Sequence, residues 1–221
     1  MTRNHRFRRL TVVVAAALAT AALVASGSAS AAPSVHAAPE HRFVHSLRDP
    51  YRFLPKVPGF RLHSTTVTNG RPLPAAQLSK IFGVPGGLDE SPELSWSGFP
   101  SRTRSFVVSM YDPEAPTGSG FWHWVVADVP AGTTSLPLGA GDPGSAQLPA
   151  GAIELADDAG LHQYVGGAPP AGSGVHDYYL TVTALDVPAS GATVATSPAL
   201  LGFMIGGHTI ARATIICPTS S

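Results

Sequence analysis

This 221-residue chain has little charge and almost no cysteine: 13% of its residues are charged and Cys217 is its one thiol. A lone cysteine excludes an internal disulfide, so stability has to come from a buried core. Basic and acidic residues balance at 14 each, and no basic run, heptad or internal repeat is present. That disfavours nucleic acid or an anionic membrane surface as a general partner, because both need a basic footprint. There is no Gly-x-Ser-x-Gly elbow and the lone cysteine is near the end of the chain, which argues against hydrolysis. No catalytic residue, metal or cofactor is assigned.

What is present begins with a leader. Arg3, Arg6, Arg8 and Arg9 precede an apolar run from Leu10 to Val24, broken only by threonines, and Ala29-Ser30-Ala31 supplies small residues for cleavage. As a helix the run would reach only about 22 Å, short of a hydrocarbon core of roughly 30 Å. Residues 1–31 therefore read as a signal peptide, and the mature chain as secreted or delivered to a periplasm-like space, with no integral membrane segment. Cleavage removes four arginines and no acid, leaving ten basic against fourteen acidic residues and a formal charge of −4. Residues 32–59 carry five prolines and no regular period, and read as an extended arm whose apolar second half lies on the domain.

From residue 60 to 221 the pattern is that of one β-rich domain. Short strands are expected at 62–67 and 93–96. Ser105–Tyr111, Trp122–Val129 and Tyr178–Leu185 are near-continuous apolar runs rich in Val and aromatics, which reads as buried central strands. Strict alternation along 122–129 would put His123 with Val125 and Ala127, and Trp122 with Trp124 and Val126. Residues 131–176 hold ten glycines and five prolines and read as a long loop region. Pro198–Ile205 is a helix ended by Gly206-Gly207, and Thr209–Ile216 a last strand.

Chemistry concentrates in the stretch Tyr111–Val129. Asp112 and Glu114 flank Pro113 in a turn, a Gly-rich loop follows, and His123 stands between two tryptophans at the head of a strand. A second cluster, Tyr164 to Tyr178, brings Gly166, Pro169, Pro170, His176 and Tyr178 to the start of another strand. If the strands are neighbours, one acid and two imidazoles share one sheet edge. Such a set can capture an anion through N–H and O–H donors, bind a metal, or carry acid–base hydrolysis. No His-x-x-x-His spacing at His123 or His176 would fix a metal locally, and anion capture needs the least. Each residue also has a structural reading. Asp112 can cap turn amides, His123 can be a satisfied core histidine, Trp122 and Trp124 can be core, and His208 can be interfacial.

These residues resemble the phosphatidylethanolamine-binding protein family, in its bacterial branch of Raf kinase inhibitor-like proteins. Asp112-Pro113-Glu114-Ala115-Pro116 is similar to the family's Asp-Pro-Asp-Ala-Pro, and Trp122-His123-Trp124-Val125-Val126 to its histidine strand. Tyr164 to Tyr178 matches the Tyr-x-Gly, Pro-Pro and His-x-Tyr block, and Ser91-Pro92-Glu93-Leu94-Ser95-Trp96 a motif upstream. The resemblance spans 60–216. It implies a mainly β fold, with a large antiparallel-rich sheet, a smaller second sheet and a helix near the C-terminus. It also implies an anion pocket for phosphate- or carboxylate-bearing groups of phospholipid head-group type, lined by Asp112, His123, Tyr164, Gly166, Pro169, Pro170, His176 and Tyr178. The function implied is non-catalytic binding. The alternative is inhibition of a secreted protease, or a kinase, by protein contact, and a homodimer stays open. Two departures stand out: Gln77-Leu78-Ser79-Lys80 replaces a cysteine-containing stretch, and Glu114 replaces an aspartate.

Overall fold

The computed structural model describes residues 49–221; the expected signal peptide and the arm as far as residue 48 lie outside the described residues. Five strands make an antiparallel sheet in the order β6-β4-β3-β7-β8: β3 (Ser105–Asp112), β4 (Phe121–Pro130), β6 (Ile153–Glu154), β7 (His176–Leu185) and β8 (Thr209–Thr219). A three-stranded antiparallel sheet, β1-β2-β5, is built from Arg61–His63, Leu94–Ser97 and Ser135–Leu136. The helix α1 (Pro198–Met204) comes late, as its composition predicts. Ser197 caps it by accepting from the Leu200 amide, and Pro198 fits the first turn, where no N–H is needed. The fold is thus mainly β, with a large and a small sheet, as the family resemblance implies.

Alternation divides the large sheet into two faces. Phe106, Val108 and Met110 of β3 and Leu180, Val182 and Ala184 of β7 join Leu94, Trp96 and Leu136 of the small sheet in one core. Val107 and Leu185 of the other face pack with Leu201 of α1 and with Ile205, which caps its C-terminus. At about 25 cal/mol per Å² of buried apolar surface, these cores carry the stability of a chain whose one described cysteine is free.

Two expectations change. The two-residue strands β5 and β6 lie inside the stretch read as loop, too short to leave a periodic signal. The second concerns β4, where strict alternation fails. Met110 pairs with Trp124 but Tyr111 pairs with Trp122, so His123 is the extra residue of a β-bulge. The bulge puts Trp122 with Val125 on the helix face, while Trp124 stays in the inter-sheet core and His123 packs on Tyr178.

Candidate functional site

Asp112 ends β3, His123 is the third residue of β4 and His176 starts β7, and because β3 lies between the other two, all three reach one end of the sheet. The turn after Asp112 is pinned locally. Asp112 Oδ1 accepts from the Glu114 amide at 2.9 Å, the self-capping arrangement expected of an Asp-Pro turn. Glu114 Oε2 in turn accepts from the Asp177 amide at 2.9 Å, so the longer acid at this position ties the turn to β7. Gly120 closes the loop at φ 72°, where a Cβ would lie 2.2 Å from the Tyr111 hydroxyl.

The centre of the cluster is a buried pair. His176 Nδ1 donates to Asp112 Oδ2 at 2.7 Å, with the side chains 1% and 3% exposed. His176 Nε2 lies 2.8 Å from Ser173 Oγ, and Ser173 Oγ donates to Pro170 O at 2.7 Å. The Tyr178 ring stacks on His176 at 6.5 Å and meets His123 edge-on at 5.2 Å, and its hydroxyl accepts from the Ala168 amide at 3.0 Å. Burial, reinforced by the Asp112 charge, pushes the Tyr178 hydroxyl well above its ordinary range, so it stays a protonated donor.

His123 is held differently. Its Nδ1 donates to Val165 O at 3.0 Å, while the Val165 amide donates to His123 O at 2.9 Å. Burial lowers its pKa to about 4 against the opposing pull of Asp112, so the ring is neutral and Nε2 is an acceptor. An anion placed beside it would favour the protonated form and turn Nε2 into a donor.

Two residues of the expected lining serve the framework. Tyr164 is fully buried, and its hydroxyl donates to Gln77 O at 2.9 Å. The Gly166 amide donates to Asp89 Oδ1 at 2.8 Å, and a Cβ on Gly166 would sit 2.3 Å from the Leu78 carbonyl carbon. Pro169 is buried and Pro170 exposed, on the turn that carries Ser173. Sequence reasoning missed Asp89 and Ser173. Asp89, at φ 56° and 4% exposed, also accepts from the Lys80 and Ile81 amides at 3.0 and 2.8 Å, and so fastens the 79–89 loop to the 164–168 segment. Its one sequence signal is the Gly86-Gly87 turn just before it.

Ser173, His176 and Asp112 line up as a hydroxyl, an imidazole and a carboxylate, the order of a nucleophilic relay. Ser173 Oγ carries one hydrogen, however, and Pro170 O at 2.7 Å competes for it with His176 Nε2 at 2.8 Å, so the hydroxyl is not committed to the imidazole. Among the described residues no group of three or more His, Cys, Asp or Glu side chains is placed to hold a metal ion, and no helix is long and apolar enough to cross a membrane.

Comparison with known proteins agrees with this architecture. The family model for phosphatidylethanolamine-binding protein matches residues 63–219. Protein YbcL of Escherichia coli is 39% identical over 163 residues, covering 74% of this chain and 88% of that protein. Protein YbhB of the same organism is 41% identical over 155 residues, covering 70% and 96%. Lipoprotein LppC of Mycobacterium tuberculosis is 30% identical over 162 residues, covering 66% and 76%. The crystal structure of YbcL, described as a new member of the mammalian PEBP family, superposes with a TM-score of 0.70 at 38% identity, covering 73% of this chain and 98% of that one. The chain therefore belongs to the phosphatidylethanolamine-binding protein family.

Proposed function

We propose that this protein is an exported, non-catalytic binding protein that takes a phosphate- or carboxylate-bearing group at the end of the large sheet. The observation that carries the reading is the meeting of His176, Tyr178 and His123 around the buried Asp112, which fixes the His176 ring and gathers two imidazoles and a phenol hydroxyl in one place. Asp112, His123, His176 and Tyr178 form the recognition centre in this reading, with Pro169 and Pro170 beside it. Tyr164 and Gly166 build its wall, since their polar atoms are already engaged. The family's name supplies the ligand class, a phosphorylated head group. Export is supported by the basic-apolar leader and by a relative named as a lipoprotein. The competition of Pro170 O for the one Ser173 hydrogen favours binding over hydrolysis.

Titration with inorganic phosphate and with phosphoethanolamine, followed by NMR, tests this reading. The wild-type protein is expected to saturate, and His176→Gln and Tyr178→Phe to weaken binding by roughly tenfold, the size of one charge-assisted or well-placed hydrogen bond. Equal, weak binding by all three proteins would remove the site.

A further inference from the structure

A groove of about 690 Å³ runs along the other face of the large sheet, away from the histidine cluster. Its floor is Val107 of β3 with Trp122 and Val125 of β4, one wall is α1, and the other is the strap Asp49–Val57. The strap is tied down: Tyr51 donates to Thr181 Oγ1 at 3.0 Å and packs edge-on against Tyr179, and Pro58 O accepts from the Arg212 amide at 3.0 Å. Phe53 of the strap and Phe203 of α1, each 84% exposed, stand at the rim. This volume is that of a site for a small organic molecule, and its lining is mostly apolar.

Two arginines line the groove; Arg52 is exposed and lies over the Phe53 ring, so Arg212 is the cation that serves the interior. Arg212 lies with its guanidinium carbon 4.5 Å from the centre of the Tyr51 ring, and its Nε is buried with no hydrogen-bond partner among the described residues. No carboxylate comes within 4 Å of its guanidinium among the described residues. Asp49 acts on it only at longer range, and spends Oδ1 on the Tyr51 amide. Glu114, also on the lining, turns Oε2 to the Asp177 amide. A buried guanidinium N–H without an acceptor is costly, at roughly 1–3 kcal/mol. Tyr51 covers one face of the guanidinium, and the N–H edge of such a group grips a planar carboxylate with two parallel hydrogen bonds.

We infer that this groove binds an amphipathic monocarboxylate, with an aliphatic body lying between α1 and the sheet and its carboxylate on Arg212. The inference is independent of the histidine cluster.

The test is an NMR titration with decanoate, and with decanol as the uncharged molecule of the same body. Decanoate is expected to perturb Val107, Val125 and Arg212 saturably below about 1 mM, and decanol to bind roughly tenfold more weakly. Arg212→Met, which keeps the apolar stem, should bring decanoate down to the affinity of decanol. Gly202→Trp should block both ligands; Gly202 lines the groove, and a Cβ there meets nothing within 4 Å, so the helix accepts it. His176→Gln should leave the decanoate shifts at Val125 and Arg212 intact, which separates this site from carboxylate capture at the histidine cluster. Equal affinity for decanoate and decanol, decanoate binding that survives Gly202→Trp, or no saturation would each overturn the inference.

Discussion

Asp112 Oδ2 and His176 Nδ1 lie 2.7 Å apart at the ends of adjacent strands, with both side chains almost wholly out of solvent. Sixty-four positions separate them in the chain. The pairing of β3 with β7 brings them together and lets an Asp-Pro turn that looks local in sequence set the orientation of a distant imidazole.

Removing Asp112 should therefore be felt first as lost stability. Asp112→Ala leaves the His176 Nδ1–H and the Glu114 amide without their acceptor in a buried place, and is expected to cost about 3–5 kcal/mol in urea unfolding. Asp112→Asn retains one acceptor oxygen and should cost clearly less. Near wild-type stability for both variants would mean that the pair does not organise this end of the sheet.

How much of this was legible depends on what each residue does. Asp112, His123, His176 and Tyr178 sit at strand ends in recognisable local motifs, so their candidacy shows in sequence. The direction of His123 does not, because a bulge leaves no mark on an apolar run and strict alternation sends the ring to the wrong face. Asp89 was illegible for another reason. Its carboxylate collects amides from two segments, Lys80-Ile81 and Gly166, and nothing in a one-dimensional pattern reports an acceptor shared across 77 positions. The short strands β5 and β6 were lost because two residues cannot display a period. The helix and central strands were legible because length, proline placement and apolar runs all agreed.

The neutral state of His123 has a consequence for stability against pH. Its folded pKa of about 4 lies below the ordinary histidine value, so between the two the unfolded chain takes up the proton and the folded chain does not. The stabilisation is thus fully present above pH ~6.5 and is lost as pH falls through about 4, amounting to about 3 kcal/mol. Glu154 and Asp157 act in the opposite sense. Burial raises each to about 6, so what they contribute is present in acid and lost as pH rises through that value. The contrast with His123→Asn isolates the imidazole, since an amide can still donate to Val165 O. The stability difference between wild type and this variant is expected to move against wild type by up to about 3 kcal/mol from pH 7 to pH 4. A difference that stays flat would show that the ring is not held neutral by its burial.

Gly166 is the place where the two loops of the site touch most closely. Its amide serves Asp89, and a Cβ would meet main-chain atoms of Leu78 and Ser79 at 2.3 to 2.6 Å, contacts that no side-chain rotation can relieve. The Ser79 amide also donates to Gly167 O and the Gly167 amide to Gln77 O, at 2.9 and 3.1 Å, so the strain would pass directly into the segment that leads to the Tyr178 hydroxyl. Gly166→Ala should consequently cost about 1–3 kcal/mol by overpacking and displace the Ala168 amide from Tyr178. Gly132→Ala is the matching control. Gly132 has no left-handed φ and nothing within 4 Å of its added methyl group, so stability should change by less than about 0.5 kcal/mol. Thermal or urea unfolding of both variants, with the Ala168 amide shift followed by NMR, decides the matter. Equal stability of the two, with an unmoved Ala168 resonance, would show that the 164–168 segment has room the geometry denies it.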